Sequence, residues 1–531
     1  MRRAAALYLA LAAPQDSDGP EGRAIEFPAM AVRPTTAPAG RGAEATSAAS
    51  PAWRRAVTPA EAVAVASLIA AGLVVFFVHL GTASWAFDEF FFGILGVNFL
   101  HGDFSQTVGV HPYLAVYLIG LVPAVLDRVG TGEVRLTAAT AGLATAGVLY
   151  VFARRAAGPR AAVAAAALWI FVPHASVMAG TALAAVKIER FGLLDPFMAL
   201  FAAATLYAGW RWAETERWSW AAAAGVFAGL ATASKLIGAL VLVPVVVTAV
   251  LAGGARRRRL AQAVLVVALC PAVLWLSFGG AIPDAPERVH DIADQARAQE
   301  DAGHPAVVAG SVYTKPPWWS DAWFMWKGVG PPATIGLVVL AVAGTITAPR
   351  RVALLLGLAV AVPFGCLALL YSVSLPHYYL VWMAPLTLLA ALGLDALLRR
   401  GRLPAVIGGA LLVPLAIAAA GTVADVATME PGDYRVAASQ IAGAGVGRPA
   451  VAVVGYAPVL AAYLPGARVA ASTPPARADA IVIDPLQARL NGDPRGLRRW
   501  VAAHRGAYDA LNADRLRVFI RRASRSSPTS G

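Results

Sequence analysis

Two adjacent carboxylates lie within an aromatic stretch, in the segment Trp85-Ala-Phe-Asp88-Glu89-Phe-Phe-Phe92. A carboxylate held in a partly apolar setting at a membrane surface can take a proton from a hydroxyl group during nucleophilic attack. The alternative is an acidic pair that only anchors an aromatic belt at the interface. We predict Asp88 as a candidate general base and Glu89 as a carboxylate that assists or orients it, and the anchoring alternative stays open.

A second group of charges lies in the segment 187–196, KIERFGLLDP. Cations beside a carboxylate at a membrane surface suit a phosphate group, so Lys187, Arg190 and Lys235 are predicted to bind a donor phosphate. Asp195 is predicted to hold an acceptor or these cations. The structural alternatives are a first-turn position in a helix for Asp195 and snorkelling to the interface for Lys235.

Aromatic and basic side chains form a third set of candidates, in the segment 311–319, SVYTKPPWW, and at the start of a later apolar run. Aromatic faces stack on sugar rings, which predicts a substrate-binding role. Anchoring of the loop at the membrane interface is the alternative. These candidates are Tyr313, Lys315, Trp318, His377 and Tyr378.

Several classes of function find no support in the sequence. It contains no glycine-rich phosphate loop, HExxH zinc pair or GxSxG elbow in a suitable context, so nucleotide-driven pumping is not predicted. Cys270 and Cys366 both fall inside apolar runs, which argues against a disulfide framework or a thiolate metal cage. The net charge of +13 is spread between apolar runs, so no nucleic-acid partner is predicted. No metal ligand is assigned, and a divalent cation is left open as a cofactor.

Most of the chain is too apolar for a water-soluble protein, since 58% of the 531 residues are hydrophobic and only 14% are charged. The apolar runs have the length of about 20 residues that crosses a hydrocarbon core, and helices satisfy the backbone there. We predict an all-α polytopic membrane protein with about eleven transmembrane helices and a small C-terminal α/β domain. The predicted spans are 60–80, 136–153, 160–178, 193–210, 218–234, 236–253, 260–278, 329–348, 352–371, 378–397 and 403–422.

Arginines between the apolar runs predict the orientation, because positive residues favour the cytoplasmic side. The clusters are Arg54-Arg55, Arg154-Arg155 with Arg160, Arg211 with Arg217, Arg256 to Arg259, Arg350-Arg351, and Arg399, Arg400 and Arg402. The outer loops are then 81–135, 179–192, 279–328 and 372–377. The short apolar stretch 112–126 would put Arg154 outside if it spanned, so we predict an interfacial helix there.

The domain organisation follows from these patterns. Residues 1–56 are predicted to be a disordered cytoplasmic extension, and 57–422 the transmembrane domain with outer catalytic loops. Residues 423–522 alternate strand-like and helix-like runs and are predicted to form an extracytoplasmic α/β domain. Residues 523–531 are predicted to be a loose tail.

Taken together, these stretches resemble the polyprenyl-phosphate-sugar-dependent glycosyltransferases of the GT-C class, particularly bacterial relatives of protein O-mannosyltransferases and of the lipid A aminoarabinose transferase. The resemblance covers about residues 60–400. It is carried by Asp88-Glu89, His111-Pro112-Tyr113, Arg135, Arg190 to Asp195, Ser234-Lys235 and His377-Tyr378-Tyr379. It adds His111 to the substrate-binding candidates. Residues 311–319 are also similar to the Tyr-x-Ser-x-Pro-Trp-x-Trp loop of bacterial protein mannosyltransferases but depart from it at Thr314, which leaves the acceptor class open.

The resemblance implies an enzyme that moves a sugar from a polyprenyl-phosphate donor to an extracytoplasmic hydroxyl of a protein, lipid or glycan, with inversion and with Asp88 as base. Its expected location is the bacterial inner membrane, and its expected partners are the donor, an unidentified acceptor and the bilayer. A transporter or flippase of envelope intermediates is the alternative, although the charged residues lie at the outer surface instead of mid-span. A non-catalytic scaffold for envelope assembly is a third reading.

Overall fold

The computed structural model describes residues 56–86, 88–106, 108–175, 187–470, 473–490, 492–493 and 496–522. Its apolar runs form helices. Up to the C-terminal domain these are α1 (Pro59–Phe77), α2 (Glu89–Leu100), α3 (Leu114–Leu126), α4 (Thr131–Ala156), α5 (Pro159–Phe171), α6 (Asp195–Thr215), α7 (Trp218–Ser234), α8 (Leu242–Leu251), α9 (Arg256–Leu276), α10 (Ala285–Ala302), α11 (Ser320–Val329), α12 (Pro331–Thr347), α13 (Arg350–Leu370), α14 (Leu380–Arg399) and α15 (Arg402–Ala427).

Six of the described helices, α1, α4, α9, α13, α14 and α15, are long and apolar enough to cross a bilayer. A seventh crossing exists if α11 and α12, which meet at a bend of 108°, form one broken span. The predicted intervals 160–178, 193–210, 218–234 and 236–253 also contain helices, but these are shorter, broken or less apolar. The chain is thus a multi-pass membrane protein, and the predicted count of eleven spans is supported only in part.

Helix α14 is the most buried of the long apolar helices. In its most apolar stretch of 18 residues 89% of the residues are buried, against 11% in α15, so α14 lies at the centre of the bundle. Helix α12 packs closely on α14, and a Cβ atom on Gly393 would lie only 2.0 Å from the carbonyl oxygen of Leu340. Small residues of this kind let helix backbones approach in a membrane. On the outside of the bundle α15 exposes apolar side chains such as Leu403 and Ile417, as a lipid-facing helix does.

Arginine-bearing loops meet at one end of the bundle. Nε of Arg154 lies 2.6 Å from Oε1 of Glu61, close to the start of α1. Nη2 of Arg399 donates to the carbonyl oxygen of Ala157 at 3.0 Å. Helix α1 runs from this end to the opposite one, where the chain continues towards Asp88. The arginine clusters and Asp88 are therefore at opposite ends of the bundle.

The end that carries Asp88 contains short elements that the hydropathy pattern only partly predicted. The helix expected at 112–126 corresponds to α3, whereas α2 and α10 were not predicted. Helices α2 and α3 have 12 and 13 residues, fewer than the number of about 20 that a crossing needs. The loop 279–328 also contains an antiparallel hairpin of β1 (Ala306–Val308) and β2 (Ser311–Tyr313).

The C-terminal domain contains a five-stranded mixed sheet with strand order β4-β3-β5-β7-β6. Strand β3 pairs in parallel with β4 and β5, whereas β7 pairs antiparallel with β5 and β6. Leu497 and Val501 pack on one face of the sheet, beside Ile481 and Ile483. Its elements are α16 (Asp433–Gly443), β3 (Ala450–Val454), α17 (Ala457–Tyr463), β4 (Arg468–Ala470), β5 (Ala480–Ile483), α18 (Pro485–Leu490), α19 (Leu497–Ala503), β6 (Tyr508–Ala513) and β7 (Leu516–Arg521).

Several expectations meet the limits of the described part of the chain. Helix α15 continues to Ala427, past the boundary predicted at 422. Of the predicted extension 1–56 only residue 56 is described, and the predicted tail 523–531 lies outside the described residues. The same holds for residues 176–186, which include the end of the predicted span 160–178 and the start of the predicted loop 179–192.

Candidate active site

Asp88 immediately precedes α2, yet its side chain makes no capping hydrogen bond to that helix. The side chain is exposed to solvent. Surrounding protein nevertheless raises the pKa of its carboxyl by desolvation, while electrostatic interactions with His304 and Lys235 act in the opposite direction. Because water reaches this carboxylate, it is available to a substrate.

Glu89, the adjacent carboxylate, is fully buried and makes four hydrogen bonds. Arg135 donates to it through Nε at 2.6 Å and Nη2 at 2.8 Å. The backbone amides of Ala86 and Gly192 donate to the same carboxylate at 3.0 and 2.8 Å. Because these four donors occupy both oxygens, Glu89 fixes the start of α2 and points away from the solvent that Asp88 meets.

Arg135 also holds the segment that leads from α1 to Asp88. Its guanidinium donates to the carbonyl oxygens of Leu80, Ala83 and Ser84 at 3.0, 3.1 and 2.6 Å. This residue entered the sequence analysis only through the family resemblance. Its contacts show that it joins the start of α4 to the segment preceding Asp88.

Asp195 and Lys235 form a buried ion pair in the same region. Nζ of Lys235 lies 2.8 Å from Oδ1 and 3.0 Å from Oδ2 of Asp195. Nζ also lies 4.3 Å from the centroid of the Tyr378 ring, and Nε2 of His377 lies 3.7 Å from Oδ2 of Asp195. The structure thus brings together four of the residues that the sequence singled out, from three separate parts of the chain.

A tight turn positions Lys235. The residue adopts an extended conformation between α7 and a 3₁₀ turn, Leu236–Val241. A Cβ atom on Gly238 would lie 2.5 Å from the carbonyl oxygen of Ala231, so only glycine lets the turn fold back on the end of α7. The ammonium group is thereby placed beside Asp195 at the start of α6.

Two histidines complete the surroundings of the Lys235–Asp195 pair. Burial, together with the charge of Lys235, lowers the pKa of His111 to about 3, although Asp195 acts in the opposite direction. Burial also lowers the pKa of His377 to about 4, although Asp195 acts in the opposite direction. Both imidazoles are therefore neutral at pH 7, and a neutral imidazole has one N–H donor and one acceptor nitrogen.

Two further residues near this cluster were not among the predicted site residues. His304 lies close enough to interact electrostatically with both Asp88 and His377. Asp321 is buried at the start of α11, accepts a hydrogen bond of 2.8 Å from Oγ of Ser374 and interacts electrostatically with Lys235. The sequence signal for both was their place in the outer loop 279–328, which also holds the tryptophan pair.

The other two predicted phosphate-binding cations have different surroundings. Nζ of the buried Lys187 donates to the carbonyl oxygens of Trp169 and Val172 at 3.0 and 2.7 Å and contacts Nδ1 of His174 at 3.2 Å. Arg190 is also buried and donates to two carbonyl oxygens at the end of α1. Three partners within the protein thus account for the three N–H groups of Lys187, and Arg190 is held against the end of α1.

The predicted aromatic candidates of the loop 279–328 lie on or after the hairpin. Tyr313 ends β2 and is half-buried, whereas Lys315 and Trp318 are exposed. Within the part of the chain that the structure describes, no group of three or more histidine, cysteine, aspartate or glutamate residues is arranged to hold a metal ion.

Comparison with known families and structures places the fold. A family model described as dolichyl-phosphate-mannose-protein mannosyltransferase matches residues 110–278, which is less than half of the chain. The matched segment includes His111, Asp195 and Lys235 but not Asp88. No curated protein sequence matches.

Solved structures of membrane glycosyltransferases are similar over most of the chain. ArnT from Cupriavidus metallidurans in the apo state matches with a TM-score of 0.56 and 18% identity, over 88% of this chain and 100% of that one. ArnT bound to undecaprenyl phosphate matches with a TM-score of 0.56 and 17% identity, over 87% and 99%. The Archaeoglobus fulgidus oligosaccharyltransferase with Zn and sulfate has a TM-score of 0.49 and 14% identity, over 78% and 67%.

These similarities confirm the resemblance to the GT-C class that the sequence indicated. The chain has the fold of that class.

Proposed function

We propose that this protein is a glycosyltransferase that moves a sugar from a polyprenyl phosphate to an acceptor hydroxyl. The observation that carries the proposal is the accessible carboxylate of Asp88 within electrostatic reach of the buried Lys235–Asp195 pair. A base and a phosphate-binding cation within electrostatic reach of each other match the two needs of this transfer. The GT-C fold supports the same reading, since the similar ArnT structure contains undecaprenyl phosphate.

In the proposed reaction the acceptor oxygen attacks the anomeric carbon while Asp88 takes the hydroxyl proton. The bond between the anomeric carbon and the phosphate oxygen breaks, and its electron pair leaves with the polyprenyl phosphate. One displacement from the face opposite the phosphate inverts the anomeric centre. The leaving group is already a competent anion, so positive charge beside it replaces a dedicated general acid.

Lys235 is the proposed phosphate-binding cation. Its ammonium has three N–H groups, and Asp195 accepts two hydrogen bonds, which leaves one N–H for a phosphate oxygen. The neutral imidazoles of His111 and His377 can donate further hydrogen bonds to the same group. Asp195 then serves to hold the ammonium in place, and Glu89 to hold the segment that carries Asp88.

Lys187 and Arg190, which were predicted from their charge and position to bind the donor phosphate, are assigned here to the packing of their loop, because backbone carbonyls accept their hydrogen bonds. Tyr313, Lys315 and Trp318 remain proposed contacts of the sugar or acceptor. Asp88 and the C-terminal domain are placed on the extracytoplasmic side of the inner membrane, opposite the arginine-bearing end.

The proposal is tested by reconstituting the purified protein in proteoliposomes with an isotope-labelled polyprenyl-phosphate sugar fraction and an envelope extract as acceptor source. We expect label to move to the extract, with an inverted anomeric linkage by NMR. The Asp88→Asn variant should bind undecaprenyl phosphate as the wild type does and lose transfer by about 10²- to 10⁴-fold. Undiminished transfer by Asp88→Asn refutes the base assignment, and movement of intact donor across the bilayer without bond cleavage identifies a flippase instead.

A further inference from the structure

The C-terminal domain is attached directly to the segment that carries Asp88. The backbone amide of Trp85 donates to the hydroxyl of Tyr463, at the end of α17, at 3.0 Å. Oγ of Ser84 donates to the carbonyl oxygen of Gly432 and accepts from the amide of Arg435 at 3.2 Å. Three residues lie between Ser84 and Asp88, so the domain contacts the chain close to Asp88.

Two arginines extend the attachment. Nη1 of Arg435 donates to the carbonyl oxygens of Gly81 and Thr82 at 3.0 and 3.1 Å. On the other side of the domain, Nη2 of Arg489 donates to the carbonyl oxygen of Gly310, in the turn between β1 and β2, at 2.7 Å. The domain therefore bridges the Asp88 segment and the hairpin of the loop 279–328.

Tyr456 lies at the opposite end of α17 from Tyr463, directly after β3. Its amide donates to the hydroxyl of Tyr434 at 3.0 Å, and that hydroxyl donates to Oδ2 of Asp484 at 3.1 Å. Gln487 forms a hydrogen bond with the Tyr456 side chain. Burial raises the pKa of the Tyr456 phenol, and the negative charges of Asp88 and Asp484 raise it further, so the phenol keeps its proton.

The chain lengths agree with this proximity. A seven-residue helix such as α17 spans about 10 Å, which separates Tyr456 from the anchor between Trp85 and Tyr463. Asp88 follows Trp85 by three residues, and three residues of extended chain reach about 10 Å, so the two residues are at most about 10 Å apart. The ring centroid of Tyr456 lies 6.5 Å from that of Tyr434. Tyr434 follows Gly432, which Ser84 contacts, by two residues, so Tyr456 lies on the part of the domain that is attached to the Asp88 segment.

We propose that the C-terminal domain forms the acceptor side of the active site and that the hydroxyl of Tyr456 binds the acceptor beside Asp88. This inference rests on the proposed glycosyl transfer. The phenol donates a hydrogen bond to an oxygen of a hydroxyl-bearing acceptor, while Asp88 accepts the proton of the attacking hydroxyl. The acceptor enters from the aqueous side, between the Asp88 segment, the hairpin and the edge of the sheet at the end of β3.

The test compares Tyr456→Phe with Tyr508→Phe. Both substitutions remove one phenolic hydroxyl from the same domain, but Tyr508 packs on the other face of the sheet, where its hydroxyl lies near Trp500 and Pro475. Each variant is assayed in proteoliposomes with the labelled donor fraction and increasing amounts of envelope extract. Binding of undecaprenyl phosphate is measured separately.

We expect Tyr456→Phe to raise the half-saturating amount of extract by about 3- to 10-fold, which is the effect of one lost hydrogen bond. Its binding of undecaprenyl phosphate should equal that of the wild type, and Tyr508→Phe should match the wild type in both measurements. A Tyr456→Phe variant with wild-type acceptor saturation, in an assay where Asp88→Asn is inactive, overturns this inference alone. An active Asp88→Asn variant overturns the assignment of Asp88 as base, on which the inference depends.

Discussion

Lys235 donates to both carboxylate oxygens of Asp195, at 2.8 and 3.0 Å, across a pair that is buried on both sides. The two residues come from the end of α7 and the start of α6, and their contact holds a positive charge near Asp88. Removing one partner of such a pair leaves an uncompensated buried charge, which typically costs about 3–5 kcal/mol. Tests of Lys235 must therefore separate ligand binding from stability.

We predict that Lys235→Met weakens the binding of undecaprenyl phosphate by about 10- to 100-fold, because a hydrogen bond to a charged group contributes about 1.5–3 kcal/mol. The double variant Lys235→Met with Asp195→Asn should recover thermal stability but not binding. The measurement is titration of purified protein with undecaprenyl phosphate.

The matched control for this experiment is Lys327→Met, at an exposed lysine on α11 whose Nζ lies 4.7 Å from the Trp323 ring centroid. It should bind undecaprenyl phosphate as the wild type does. Equal affinity of Lys235→Met and Lys327→Met would remove Lys235 from the phosphate site.

The buried pair Glu89–Arg135 predicts a large effect on stability. Glu89→Gln and Arg135→Met should each lower the free energy of unfolding by about 3–5 kcal/mol, because the remaining partner is left buried and unpaired. In the double variant the loss should be smaller than the sum of the two. Denaturant or thermal unfolding in detergent measures these differences.

A surface pair serves as the comparison for that series. Nη1 of Arg297 lies 2.6 Å from Oδ1 of Asp294, and both side chains are about half exposed. Arg297→Met should change the unfolding free energy by less than about 1 kcal/mol. If Glu89→Gln were no more costly than Arg297→Met, the buried network around α2 would not hold the Asp88 segment.

The raised pKa of Asp88 predicts the pH dependence of transfer. A general base works only when ionised, so kcat/KM should fall as the pH drops through this pKa, which lies above the ordinary value of 3.8. The charge of Lys235 lowers this pKa, so Lys235→Met should move the acidic limb of the profile to higher pH. Profiles of the wild type, Lys235→Met and Lys327→Met test this, and superimposable limbs would show that Asp88 does not control the rate.

The arginine-bearing end and the Asp88 end predict opposite accessibility across the membrane. In a background where Cys270 and Cys366 are replaced by serine, Arg448→Cys should react with an impermeant maleimide in intact spheroplasts. Arg257→Cys should react only after permeabilisation. Both positions are exposed in the structure. The reverse pattern of labelling would place Asp88 on the cytoplasmic side and exclude an extracytoplasmic acceptor.

Local patterns in the sequence were sufficient for the helices and for the residue types of the site. Apolar runs indicated helices in all the predicted intervals, because a helix in lipid satisfies its backbone within the segment. The same patterns singled out Asp88, Asp195, Lys235 and His377. The predicted number of crossings is supported only in part. Helix α5 ends at Phe171, α7 has only 17 residues, and the interval 236–253 is divided between a 3₁₀ turn and α8. The composition of a run does not show where a glycine or proline ends its helix.

The tertiary structure decided which charges are available for chemistry. Asp88 and Glu89 have equivalent positions in the sequence, but Arg135 and two backbone amides occupy Glu89. Lys187 and Lys235 are likewise both cations at the ends of apolar runs, and carbonyl oxygens of another segment accept the hydrogen bonds of Lys187. Such partners come from residues distant in the chain. Only the packing of the helices therefore determines whether a charged side chain is paired within the protein or can bind a ligand.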